Sequence, residues 1–105
     1  MIFVIYMKYS HNYNKLNDIV YTTIRRYKKA KVGDKIRETY PSGTHLAFVV
    51  AESRFSLDEL PLSLLQKDTD LEEWEDIFKL FQSFYKKPID IYNDNFYLYV
   101  LVRLD

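Results

Sequence analysis

The chain has 105 residues, 15 basic and 15 acidic side chains, two glycines, three prolines and no cysteine. That length supports one hydrophobic core and not two. The missing cysteines exclude a disulfide framework, a thiolate nucleophile and a Cys-based zinc site, and the scarcity of Gly and Pro argues against a long flexible linker.

Ile2 to Met7 is a short continuous apolar run, which suits a buried strand and is far too short to span a bilayer. It lacks a basic flank and a small-residue cleavage site, so the chain is expected to act in the cytoplasm and away from membranes. From Ser10 to Tyr21 the pattern is mixed; Leu16, Ile19 and Val20 share a helical spacing that predicts a helical turn or short helix. Thr22 to Arg26 then reads as extended, which puts Thr23 and Arg25 on one face and Thr22, Ile24 and Arg26 on the other. The two arginines therefore cannot serve one pocket from the same face. Gly33-Asp34 predicts a turn, Lys35 to Tyr40 a strand, and Pro41-Ser42-Gly43 a hairpin turn into a strand over Thr44 to Ser53. In that strand Leu46, Phe48 and Val50 face one way and Ala47, Val49 and Ala51 the other, so both faces are expected to be buried.

Ser56-Leu57-Asp58-Glu59 has the spacing of a capping box, with Pro61 limiting the helix that follows. Thr69 and Glu72 have the same spacing. After them Leu71, Trp74, Ile77, Phe78, Phe81, Phe84 and Tyr85 form one apolar helical stripe ending before Pro88, with acids in the first turns. Trp74 is read as core. The closing strand, Phe96 to Leu104, places Phe96, Leu98, Val100, Val102 and Leu104 on one face. One amphipathic helix cannot cover a flat sheet on both sides, so the expected fold is a single α+β domain over residues 1–105: a small β-barrel with flanking helices.

Charge is sorted along this neutral chain. Between Arg25 and Arg37 seven Lys or Arg stand against Asp34, whereas Glu52 to Asp76 holds nine acids against Arg54 and Lys67. A local surplus of one sign steers an anionic partner whatever the net charge. The candidate phosphate-binding residues are Arg25, Arg26, Lys28, Lys29 and Lys31, with Tyr27 and Tyr40 interleaved as stacking rings. The competing reading is a solvated hairpin whose cations meet the acidic helix of the same molecule and whose tyrosines cap the core edge. His11 and His45 are well separated and lack a carboxylate at a metal-ligand spacing, so no metal site is expected, and two glycines make no phosphate loop.

The order Thr22-Thr23-Ile24-Arg25-Arg26, Lys31-Val32-Gly33-Asp34, a strand, Leu57-Asp58-Glu59-Leu60, a helix ending in Phe84-Tyr85 and a closing aromatic-aliphatic strand resembles the ASCH domain, a member of the PUA-like superfamily. The similarity covers the chain from about Tyr13 onward. It implies a small β-barrel, a cleft between barrel and helices, and binding of RNA or nucleotides; some members hydrolyse acylated cytidine and some cleave RNA. In the hydrolase-like members a lysine lies three residues before the threonine that matches Thr23. Here that position is Val20, which argues against amidohydrolase activity. The family acid has its nearest counterpart in Asp68, with Asp70 as the other candidate, so Thr23 and Asp68 are the catalytic candidates. A lone threonine has no activated nucleophile without a base beside it. Lys15 lies in the preceding turn, and the sequence does not show whether it reaches the cleft.

The leading expectation is a non-catalytic module for RNA or a nucleotide, with DNA as a further candidate and no cofactor. The alternatives are a small hydrolase of a modified nucleoside or a ribonuclease, and a protein-interaction module that docks through Glu72, Glu73 and Asp76.

Overall fold

The computed structural model describes residues 4–104. Five strands and two α-helices follow one another as β1 (Ile5–Lys8), β2 (Val20–Arg25), β3 (Lys35–Tyr40), β4 (Gly43–Phe55), α1 (Leu62–Thr69), α2 (Trp74–Ser83) and β5 (Phe96–Arg103), with 3-10 turns at Asn14–Asn17 and Leu57–Glu59. The fold is α+β. The strands form one mixed sheet in the order β1-β3-β4-β5-β2, in which β1 runs parallel to β3 and the other pairs are antiparallel. The edges are β1 and β2, and the sheet is open between them.

The first strand occupies Ile5–Lys8, so part of the expected Ile2 to Met7 run, Ile2 and Phe3, lies outside the described residues. Of the helical turn or short helix expected from Ser10 to Tyr21, the structure forms the turn, a 3-10 turn at Asn14–Asn17. Leu16 is buried, whereas Ile19 is 73% and Val20 55% exposed, so the three share no core face. The β3–β4 hairpin forms as expected, tied by Gly33 and Asp34: the Gly33 N–H donates to Val49 O and the Val49 N–H to Asp34 O. Gly33 has φ +96°, a left-handed conformation that a side chain would strain.

On β4 only one face is in the core. Ala47 and Val49 are fully buried, while Phe48 and Val50 are exposed. The β4–β5 register shifts between Val49 and Ala51, a bulge that inverts the alternation and turns Ala51 outward. On β5 the buried pair is Tyr99 and Leu101, out of phase with the predicted face, of which Phe96 alone is fully covered. A one-residue error of phase exchanges inside for outside.

The capping box at Ser56 forms, and Pro61 is the residue just before α1, at its N-cap. The second does not. Thr69 ends α1 and its hydroxyl donates to Leu65 O, while Asp70 takes a left-handed cap conformation at φ 63°. The long helix therefore begins at Trp74, later than the sequence signal. Its stripe packs Ile77 and Phe81 into a hydrocarbon cluster with Ile24, Leu57, Leu65 and Phe96. A second cluster lies within the sheet around Met7, Tyr9, Tyr21, Ile36, Val49 and Tyr99. No described helix is long and apolar enough to cross a membrane.

Candidate functional site

A cleft of about 460 Å³ opens along the seam between β1 and β2 and is walled on its far side by the end of α2. Strand pairing leaves polar backbone groups along this seam. The Arg103 N–H donates to Ile19 O, so the backbone groups of Tyr21, Thr23 and Arg25 engage β5 while those of Thr22 and Ile24 turn toward the seam. From the other edge the Lys8 carbonyl faces the seam and accepts a hydrogen bond from Arg25 Nη1 at 3.2 Å.

Alternation along β2 sends Thr23 and Arg25 into the cleft together, with Ile24 at its wall. Arg25 lies over the Tyr9 ring, 5.0 Å from its centroid, and its buried Nε has no partner. A guanidinium carries five donors, so Arg25 retains hydrogen-bonding capacity for an anion. Its neighbour Arg26 is committed elsewhere. That side chain is 7% exposed and donates to Lys87 O, Pro88 O and Asp94 Oδ2 at 2.6, 2.9 and 2.7 Å. The Arg26 backbone N–H holds the Tyr85 hydroxyl at 2.9 Å, which fixes one aromatic wall of the cleft.

The other predicted binding residues divide in the same way. Tyr27 and Lys29 line the cleft, and Tyr27 meets Tyr85 edge-on at 6.0 Å. Lys28 pairs with Glu52 at 3.6 Å, Lys31 is exposed on the turn, and Tyr40 packs against His45 at 5.2 Å; none of these three lines the cleft. Beside the predicted residues the structure adds Lys8, Tyr9, Tyr13 and Phe84. The cations bordering the cleft are thus Lys8, Lys15, Arg25 and Lys29, and Asp68 is the one carboxylate among its lining residues.

Lys15 is the residue that sequence reasoning left unplaced. The 3-10 turn delivers it to the cleft, 3% exposed, with Nζ 3.0 Å from Asp68 Oδ1 and 5.3 Å from the centroids of both Tyr9 and Tyr13. Burial lowers its pKa from the ordinary lysine value, and Asp68 opposes that shift. Thr22 Oγ1 also donates to Asp68 Oδ1 at 2.9 Å, so the acid reaches across the β2 edge from α1. Asp70, the other acid considered, instead accepts from the Asn14 N–H at 2.7 Å and anchors the turn that carries Lys15. Val20 is exposed and lies outside this cleft. The available signal for Lys15 was its place in a short segment between two tyrosines, one turn away from a strand with adjacent threonines.

Thr23, 2% exposed, lines the cleft beside Tyr9. The Tyr9 hydroxyl donates to Glu38 Oε2 on β3. His11 bonds Ser10 Oγ at 2.6 Å on the surface while His45 is buried, and among the described residues no group of three His, Asp or Glu is placed to hold a metal ion.

Comparison with known proteins gives one relative. An uncharacterized protein of Methanocaldococcus jannaschii is 34% identical over 74 residues, which is 66% of this chain and 65% of the relative. The chain thus spans just under two thirds of the relative's length. No family model matches the chain, and no solved structure matches it.

Proposed function

We propose that this protein is an RNA- or nucleotide-binding module of the ASCH type, its sheet curled as in a PUA-like barrel and its ligand seated in the seam between β1 and β2. One observation carries this reading: a single cleft joins an incompletely bonded Arg25, with Lys8 and Lys29, to the rings of Tyr9, Tyr13, Tyr27, Phe84 and Tyr85. Cations for phosphate and rings for bases are the two elements of sequence-tolerant single-strand recognition. The cleft volume of about 460 Å³ lies within the range of small-ligand sites. Arg26, with its donors satisfied by Lys87, Pro88 and Asp94, serves by fixing Tyr85 and the chain after α2.

The test is fluorescence anisotropy of a short single-stranded RNA and calorimetry of mononucleotides, each at several salt concentrations. Replacing Arg25 by Glu lowers affinity and reduces the salt slope by about one unit. Lys31→Glu, away from the cleft, has a smaller effect. Equal losses from both variants, or no binding at low salt, would overturn the reading.

A second reading, hydrolysis of an acylated nucleoside, is favoured by the Lys15–Asp68 pair lying in the same cleft as Thr23. Lys15 supplies from the 3-10 turn the amine that Val20 lacks. A buried lysine with a lowered pKa, paired with a carboxylate, can take a proton from an attacking oxygen and return it to the leaving amine. Incubation with N4-acylated cytidine decides it: turnover abolished by Lys15→Met and by Thr23→Val supports hydrolysis, and its absence leaves the cleft a binding site.

A further inference from the structure

We infer that the main chain of Ile24 reads the ligand's base: its N–H and C=O, side by side on the open edge of β2, take the hydrogen-bonding edge of a planar heterocycle, while Arg25 faces the phosphate. This rests on the nucleotide reading of the cleft and adds the orientation in which the ligand lies.

Strand pairing isolates these two groups. β2 is the last strand of the sheet and pairs with β5 alone. The Arg103 N–H donates to Ile19 O, and bonding alternates along an antiparallel ladder, so Tyr21, Thr23 and Arg25 commit their main-chain groups to Leu101, Tyr99 and Tyr97. The even-numbered residues between them turn theirs to the seam. Arg26 agrees with that phase, because its N–H donates to the Tyr85 hydroxyl at 2.9 Å. Thr22 lies toward α1, where its hydroxyl donates to Asp68, and it is not part of the cleft lining. Ile24 is part of it. Among the described residues the Ile24 N–H and C=O have no partner on either strand.

The surroundings select the shape and chemistry of what completes them. Ile24 is 5% exposed, and its side chain is anchored in the hydrocarbon cluster with Leu57, Leu65, Ile77 and Phe81, so the edge it presents is held in place. Main-chain groups buried without a partner cost about as much as a lost hydrogen bond, and a ligand that supplies both bonds recovers that cost. A phosphodiester offers acceptors alone and would leave the Ile24 carbonyl unmet. A nucleobase carries a donor beside an acceptor on its pairing edge and a flat face for aromatic walls. Such a wall stands next to Ile24: the Arg26 N–H holds Tyr85, which Tyr27 meets edge-on. The phosphate then falls to Arg25, whose buried Nε has no partner.

Amide NMR of the protein tests this at the atoms concerned. In the free protein the Ile24 amide should exchange with solvent at least about tenfold faster than those of Thr23 and Arg25, which are bonded to β5. Equal protection of the three would overturn the inference. The protein is then titrated with the four nucleoside 5′-monophosphates and with ribose 5-phosphate, which lacks a base. A bound nucleotide should move the Ile24 amide proton downfield and slow its exchange about tenfold, whereas ribose 5-phosphate should perturb the Arg25 side chain and leave the Ile24 amide unchanged. The tightest nucleotide should lose about tenfold in affinity when its pairing edge is methylated, as N4,N4-dimethyl-CMP, N6,N6-dimethyl-AMP, 3-methyl-UMP or 1-methyl-GMP. An Ile24 amide that stays silent while a nucleotide binds at Arg25, or an edge-methylated nucleotide that binds as well as its parent, would reject the base assignment and leave the nucleotide reading standing. If none of the four nucleotides binds, both fall.

Discussion

The two halves of the core are built from different chemistry. Around the helices Ile24, Leu57, Leu65, Ile77, Phe81 and Phe96 make a hydrocarbon cluster. Within the sheet the corresponding cluster is laced with polar groups: Glu38 and His45 are 0% and 3% exposed, and Tyr9, Tyr13, Tyr21 and Tyr99 carry hydroxyls into the interior. The cleft lies where the two meet, taking Phe81 from the first and Tyr9 with Lys15 from the second. Hydrocarbon contacts tolerate small displacements, whereas a buried hydrogen-bonded network specifies orientation and is costly to interrupt. One half therefore supplies stability and the other sets side-chain direction.

The largest effect should come from interrupting the buried pair on the polar side. Asp68→Leu leaves the Lys15 ammonium unpaired and is expected to cost about 3–5 kcal/mol. In urea denaturation, adding Lys15→Met should recover most of that loss, and a failure to recover would mean that Asp68 acts mainly through Thr22. On the hydrocarbon side, Leu57→Ala should cost about 2–4 kcal/mol by opening a cavity, with no change in ligand preference. If that variant altered affinity as strongly as stability, the proposed division between the halves would be wrong.

Titration distinguishes the halves as well. Tyr9 and Tyr21 have raised pKa values in the fold, so their contribution is complete below the unfolded tyrosine value near pH 10 and is lost as pH rises above it. Lys15 has the opposite sign. Its lowered pKa means that the unfolded chain binds the proton more readily, so stability rises with pH from the folded lysine value up to about pH 10. Melting temperatures measured from pH 7 to 11 should therefore climb and then fall. Lys15→Met should flatten the climb, and Tyr9→Phe should soften the fall. The smallest expected effect is at Lys28, whose ion pair with Glu52 is more than half exposed on the lysine side. Lys28→Ala should change stability by less than about 1 kcal/mol.

Much of the local structure was legible in the residues because its causes are local. Pro41-Ser42-Gly43 dictates a turn and the Ser56 box a capped one, and strand alternation separates Arg25 from Arg26 before any contact is known. The Thr69 box failed because Thr69 is itself the last residue of α1, whereas an N-cap needs a non-helical backbone; its hydroxyl donates to Leu65 O and accepts from the Leu71 N–H. On β4 and β5 the apolar residues alternate with other apolar residues, so periodicity could not tell the covered face from the exposed one; the bulge at Val49/Ala51 then changed the phase.

The sequence by itself determined which side chains travel together: Thr23 with Arg25, Ala47 with Val49, Ile77 with Phe81. Only the tertiary structure decided where they arrive. The order β1-β3-β4-β5-β2 leaves β1 and β2 as facing edges, the 3-10 turn brings Lys15 to Asp68, and the segment after α2 satisfies Arg26 through partners 61 to 68 residues away. Alternation is a property of the backbone and is written locally. Burial, and with it the choice between a structural arginine and one open to a ligand, depends on which distant segments close over each face.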